Sequence, residues 1–474
     1  MKPRMKYLAA ALAVSLSLPA AADDISELKA ELKRLAERLA TIEQHNRELE
    51  QSLASERVSA NEPELITRLK AVEYQSLSMQ KQARQIEALE GISVGASLTG
   101  VVQGVNGAGS STGSRESRAN YRGDISVALP GGEIGDIEGK IFAHLRVGQG
   151  TGLGLRPTYT STPNTTAFEV GSTPADDSFG ILAQAWYQLT VPLPRGGVKA
   201  NAREHVHLTF GKIDPFVFFD QNSIADDESV RFMNNAFVHN PLLDSGGDVG
   251  ADAYGFAPGA IAQYRNEQEK GSEWGMSLGV FGSGPGANFT GTPLAKPFII
   301  AQADMAARIN YLPGNYRAYL WTNGRGADYD GNEDRHTGIG FSIDQKVDDY
   351  LTLFARYGHQ IKGKVRFDRA LTGGAELSGN AWGRGADALG MAFGGMRTSA
   401  DFRTDSPTVD ADGDSTPDFG FQANGWEKQA ELYYRYKVNG NFELTPNFQL
   451  ISRPGGDSSA STVKLLAVRA RVGF

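Results

Sequence analysis

The stretch that most constrains this chain is its last, Val463-Lys464-Leu465-Leu466-Ala467-Val468-Arg469-Ala470-Arg471-Val472-Gly473-Phe474. Leu466, Val468, Ala470, Val472 and Phe474 are apolar at every second position, and Arg469, Arg471 and Gly473 fall between them. A period of two is a strand with one apolar and one charged face. On a soluble protein the apolar face would cover a core and the arginines would meet water. A transmembrane barrel reverses the faces, because lipid takes the apolar side and a wet lumen takes the arginines. The choice turns on whether the rest of the chain repeats the pattern.

It does so from Gly91 onward. Tyr121, Gly123, Ile125, Val127 and Leu129 alternate with Arg122, Asp124 and Ser126. After Pro130-Gly131-Gly132, read as a turn, Ile137, Ile141, Leu145 and Val147 alternate with Glu138, Lys140, His144 and Arg146. Ala183, Ala185, Tyr187, Leu189 and Val191 alternate with Gln184, Trp186, Gln188 and Thr190. The same holds around Ala301–Ile309, Leu351–Tyr357 and Ala430–Val438. Leu312-Pro313-Gly314-Asn315, Lys346-Val347-Asp348-Asp349 and Asn439-Gly440 read as tight turns. Long polar loops are expected over 148–179, 214–257, 362–373 and 397–426. Short turns at one rim and long loops at the other imply an all-β transmembrane barrel over 91–474, with about 16 antiparallel strands. Tyr311, Tyr316, Tyr350 and Phe474 gather near the short turns as an aromatic girdle. Pro446 cannot donate to a ladder, so a bulge or distortion is expected there. A mean hydropathy of −0.33 is compatible with this, since only alternate residues meet lipid.

Residues 1–22 read as a signal peptide. Lys2, Arg4 and Lys6 precede an apolar stretch, Leu8 to Leu18, and Ala20-Ala21-Ala22 offers a cleavage site. Residues 23–90 differ in kind. Ile25, Leu28, Leu32, Leu35, Leu39, Ile42, Asn46, Leu49 and Leu53 step by three and four, as a heptad seam does. Pro63 interrupts it, and Leu65, Leu69, Val72, Ser76, Met79, Ala83 and Ile86 resume it. An α-helical coiled coil in the periplasm is expected, joining the chains as a homotrimer. The alternatives are a hairpin packed on the chain's own body and a tether in contact with the cell wall.

One block carries a family likeness: Phe210-Gly211-Lys212-Ile213-Asp214, Phe218-Phe219-Asp220, Asp226-Asp227-Glu228, Asn234-Asn235-Ala236-Phe237, Asn240-Pro241 and Ala257-Pro258-Gly259-Ala260-Ile261-Ala262-Gln263-Tyr264. With Phe354-Ala355-Arg356-Tyr357-Gly358 and Glu431-Leu432-Tyr433-Tyr434-Arg435-Tyr436, it resembles the carbohydrate-selective porins (OprB type) of Gram-negative bacteria. The resemblance spans roughly 91–474 and leaves out the heptad segment. It implies a sixteen-stranded pore in outer-membrane lipid, an inward-folded loop and passive uptake of small sugars. A general or anion-preferring porin is the alternative. A terminal outward aromatic also resembles the assembly signal of outer-membrane barrels.

A sugar pore needs hydrogen-bonding groups of both polarities and ring faces at its narrowest point. The inward faces offer Glu138, Lys140, His144, Arg146, Asp304, Arg308, Arg317, Arg356, Glu431, Arg435, Arg469 and Arg471, with Trp186, Tyr319 and Tyr433 as rings. The 214–257 segment adds Asp220, Asp226, Asp227, Glu228 and Arg231. It also carries Phe216, Phe218, Phe219, Phe232 and Phe237, too many rings for a loop left in water, so it is expected to fold into the lumen. Asp410, Asp412, Asp414 and Asp418 have the alternating oxygens of a calcium loop but no terminal Glu; a solvated acidic loop is the alternative. The seven His are scattered and no H-E-x-x-H occurs, which argues against an enzyme. A net charge of −8 argues against nucleic acid as a partner.

Overall fold

A computed structural model describes residues 37, 40, 41, 44, 91–155, 162–167, 177–196, 202–244, 254–283 and 294–474. The stretch 1–22, read as a signal peptide, and almost all of the heptad segment lie outside these residues. The strands are β1 (Ser93–Val105), β2 (Glu116–Ile134), β3 (Ile137–Gln149), β4 (Phe179–Leu193), β5 (Glu204–Ile213), β6 (Ala257–Asn266), β7 (Trp274–Phe281) and β8 (Phe298–Ile309). They continue with β9 (Leu312–Ala327), β10 (Glu333–Lys346), β11 (Leu351–Lys362), β12 (Phe367–Ser378), β13 (Ala388–Thr398), β14 (Trp426–Lys437), β15 (Phe442–Ser452) and β16 (Val463–Gly473). Each pairs with its sequence neighbour, and β1 pairs with β16, from Ser97 opposite Gly473 to Val105 opposite Leu465. The sheet is a closed antiparallel barrel of sixteen strands, so no edge is left unpaired.

The two faces follow the sequence alternation. Leu466 and Val468 are exposed on the outside, whereas Arg469 is fully buried inside. Val102, Leu320, Leu371, Phe393 and Leu432 likewise project outward. That exposed apolar band is what a bilayer covers. Tyr311, Tyr350 and Phe474 are exposed at the rim that carries the short connections.

Several turns differ from the sequence reading, each for a local reason. β2 continues through Pro130 to Ile134 with a register shift between Pro130 and Glu133, and the chain reverses at 135–136. The missing N–H of Pro130 is thereby absorbed by an irregularity rather than a turn. The β8–β9 reversal is Asn310-Tyr311, both with positive φ (51° and 66°), and Pro313 already sits in β9 opposite Arg308. Two left-handed residues match the twist of the flanking strands. The loop expected over 362–373 shrinks to 363–366, because β12 begins at Phe367. Pro446 makes no bulge. β15 stays in register with β16 through Pro446 opposite Val468, and only the ladder to β14 is interrupted, between Tyr433–Asn447 and Tyr436–Leu444. Ala183 is buried rather than outward, since β3 and β4 shift register between His144 and Leu145. In the glycine-rich β13, the ring of Tyr433 lies where a Cβ on Gly390 would stand, so glycine there makes room for an inward aromatic.

Candidate functional site

The connection between β5 and β6 folds into the barrel. It holds three short turns: Pro215–Val217, Asn235–Val238 and Pro241–Asp244. Asp214 caps the first by accepting from Phe216 N at 2.9 Å, and Asn234 caps the second by accepting from Ala236 N at 3.0 Å. All six phenylalanines of this segment, Phe256 included, are buried. Phe216, Phe218 and Phe219 pack with Leu242, Leu243, Phe281, Phe298 and Trp321, while Phe232 and Phe237 pack with Phe354 and Tyr433. Burying one such ring stabilises by about 1.5–3 kcal/mol, enough together to hold the segment against the wall.

Polar contacts fix its position. Asp220, fully buried with φ of 54°, accepts from Arg356 Nε at 3.1 Å, Tyr319 Oη at 2.8 Å and Asn240 N at 2.7 Å. Arg356 also donates to the carbonyls of Asp220 and Phe237, each at 3.0 Å. Glu431 accepts from the backbone N–H groups of Met233 and Asn234 at 2.6 and 3.0 Å. Arg469 donates to the carbonyls of Glu228, Val230 and Arg231 at 2.6–2.8 Å. Arg231 and Tyr433 converge on Glu376, at 3.3 and 2.5 Å. Of these, Asp220, Arg231, Arg356, Glu431 and Arg469 were expected to meet solute in the lumen. Asp220, Arg356, Glu431 and Arg469 instead hold the segment to the wall and do not border the cavity described next.

Against the opposite wall the lumen stays open, as a cavity of about 670 Å³ between β1–β4, the inward segment and the β14–β16 end of the barrel. Of the sequence-predicted residues it gathers His144, Arg146, Asp226, Asp227, Glu228 and Arg471. It also takes Arg122, Asp124, Gln184, Asp214, His239 and Lys437, which were not among them. Asp124 is the hub: Arg122 Nε, His144 Nε2 and Arg146 Nε lie 2.8–2.9 Å from its oxygens. Arg122 reaches across to Glu228 of the segment at 2.6 Å. His239 Nδ1 stands 3.6 Å from Asp226 Oδ1, beyond hydrogen-bond range, with its ring stacked on Phe216 at 3.9 Å. Burial pushes the Asp214 carboxyl up to about 6, raises Asp226 well above the usual range and holds the His239 imidazole well below it.

The other predicted residues lie elsewhere. Trp186 is stacked on Phe142 at 4.7 Å with Lys140 Nζ 5.8 Å from its ring. Glu138 and Lys140 border a separate depression near the β2–β3 turn. Asp304 pairs with Arg265, and Arg317 with Asp344 at 2.9 Å. Arg308 sits opposite Pro313 at the short-turn rim, and Arg435 lies opposite Ala388. Asp410, Asp412 and Asp414 do come together. Asp410, however, accepts from the N–H groups of Gly413 and Ser415, and Asp418 from that of Ala411, so these carboxylates are engaged in holding their own loop.

Arg122 and Asp124 were legible as inward positions, alternating with Ile125 as Arg146 does with Leu145. Nothing in the alternation pointed to Asp214 or His239, whose placement depends on the path of the segment.

A closed sixteen-stranded barrel, apolar outside and narrowed by an inward segment with charged walls, defines a porin of the outer membrane. Residues 182–474 match the model of the carbohydrate-selective porin, OprB family, and the chain belongs to that family. The fold is similar to that of Pseudomonas putida OprB, with a TM-score of 0.65 and 17% identity over 83% of this chain and 96% of that one. More distant is Salmonella typhi OmpF in complex with daunomycin, at a TM-score of 0.46 and 11% identity over 81% of this chain and 97% of that one. No curated protein matches. The protein is thus an outer-membrane channel, rather than an enzyme, for passive diffusion of carbohydrates and similar small hydrophilic solutes.

Proposed function

We propose that solutes are selected in the cavity beside the inward segment, and that Arg122, Asp124, His144, Arg146, Asp226, Asp227, Glu228, Lys437 and Arg471 meet them there. The observation that carries this reading is the balance of the lining. Arg122, Arg146, Lys437 and Arg471 face Asp124, Asp214, Asp226, Asp227 and Glu228 around one space. Donors and acceptors side by side can replace the hydration of sugar hydroxyls, and the Phe216 ring offers a face to the apolar side of a pyranose. A lining of both signs gives no ladder for anions, which weighs against an anion-preferring pore. Arg146→Gln tests the site. Block of single-channel current by a panel of mono- and disaccharides should weaken about tenfold, the scale of a hydrogen bond to a charged group, with the barrel still assembled. Unchanged block in a conducting variant would exclude Arg146 from the site.

The heptad seam of residues 23–90 supports a second element of this reading: after removal of a leader at 1–22, a periplasmic coiled coil joins three barrels. Its leucines need a partner to bury them. Deleting residues 23–90 should convert a trimer in mild detergent to monomers that still conduct. A wild-type protein that is already monomeric by light scattering would remove the proposal.

A further inference from the structure

The outer face of the barrel carries charge where its apolar band ends. At the long-loop end of β12–β16, alternation places Arg369, Arg397, Lys428 and Lys464 outward. Their neighbours Ala370, Met396, Glu427, Gln429, Val463 and Leu465 are all buried inside. These outward residues form a row across adjacent strands. Arg369 stands opposite Arg397, Lys428 is opposite Gly395 on one side and Ser452 on the other, and Lys464 is opposite Leu450. Trp426 is opposite Arg397, with its ring over Gly395. Two residues further into the membrane, about 6.7 Å along a strand, come Leu371 and Leu466, both more than half exposed. The row therefore lies directly above the hydrocarbon boundary, at the depth of lipid headgroups.

Its charges are only partly answered by the protein. Asp368 pairs with Arg397 at 2.6 Å. The Nε of Arg369 is buried without an acceptor. Among the described residues, the ammonium groups of Lys428 and Lys464 make no ion pair. Four cations against one carboxylate, one cation having a desolvated and unmet donor, is an arrangement that lacks an anion. Long loops of outer-membrane barrels face the cell exterior, so the anion available at this depth is the phosphate of an outer-leaflet glycolipid.

We infer that the row Arg369–Arg397–Lys428–Lys464 is a docking site for a phosphorylated outer-leaflet glycolipid, whose acyl chains lie over Leu371, Phe393 and Leu466. The two ammonium groups and the guanidinium N–H groups not spent on Asp368 hold the phosphates, and Trp426 sits at the interface as such rings do. The site is separate from the conducting cavity, so its failure would leave the channel reading untouched.

The test uses the full chain in mild detergent, with bisphosphorylated lipid A, dephosphorylated lipid A and inorganic phosphate as probes. Wild-type protein should retain bisphosphorylated lipid A. The variant Arg369→Gln/Lys428→Gln/Lys464→Gln should bind it roughly 100-fold more weakly, at about fivefold per cation. Dephosphorylated lipid A should bind wild type as weakly as the variant binds the phosphorylated form. Single-channel conductance should be unchanged, which shows the variant assembled. Should the triple variant fail to assemble, Lys464→Gln alone, at an exposed position, should cost about fivefold. Equal affinity of wild type and a conducting variant, or of the two lipids, would overturn the inference. So would inorganic phosphate binding as tightly as the lipid.

Discussion

The two sides of the lumen use the same residue types to opposite ends. On the β9–β11 side, Asp220 and Arg356 are fully buried, locked to each other and to Tyr319, Asn240 and the carbonyl of Phe237. On the β2–β3 side, Asp124, His144 and Arg146 keep 12–17% of their side-chain surface and border open space. A carboxylate–guanidinium pair is thus a clamp where apolar rings exclude water and the border of an open cavity where they do not. Charge alone does not distinguish the two roles; desolvation does.

The strongest way to break the contrast is at the clamp. Arg356→Ala leaves the Asp220 carboxylate buried without its cation, a defect of about 3–5 kcal/mol. The inward segment should detach from the wall. Thermal unfolding should fall, and single-channel conductance should become larger and noisier. A variant with wild-type conductance and stability would show that the aromatic packing alone holds the segment.

A smaller effect sharpens the other side. The Asp214 carboxyl, raised by burial to about 6, is charged at neutral pH and protonated below that value. Because the folded value lies above the ordinary one, the folded protein binds this proton more tightly than the unfolded chain. Stability should therefore decline as pH rises from about 4 to about 6 and then level off. In the channel, lowering pH through about 6 removes one negative charge from the lining, so reversal potentials should move toward anion preference. Asp214→Asn should remove that step. A step of equal size in the variant would assign it to another group.

Period-two alternation determined the wall. Each strand needs only its own residues to decide which face meets lipid, and closure needs only enough such strands. Hence the antiparallel barrel, the outward Leu466 and Val468 and the inward Arg469 were all legible in order along the chain. Turns were legible only roughly: the reversal read at Leu312-Pro313-Gly314-Asn315 lies at Asn310-Tyr311, and Pro313 is already in β9. Phe216, Phe218, Phe219, Phe232 and Phe237 announced that this segment seeks the interior, because rings leave water wherever the chain can bury them. Which wall it would seal was decided by three-dimensional contacts: Asp220 to Arg356 across 136 positions, and Arg469 to the Arg231 carbonyl across 238. No local pattern encodes such pairings, so the sequence could nominate Arg146 and Arg356 only as equals. The tertiary structure separated them, leaving one on the open cavity and burying the other, because the packed rings determine where water remains.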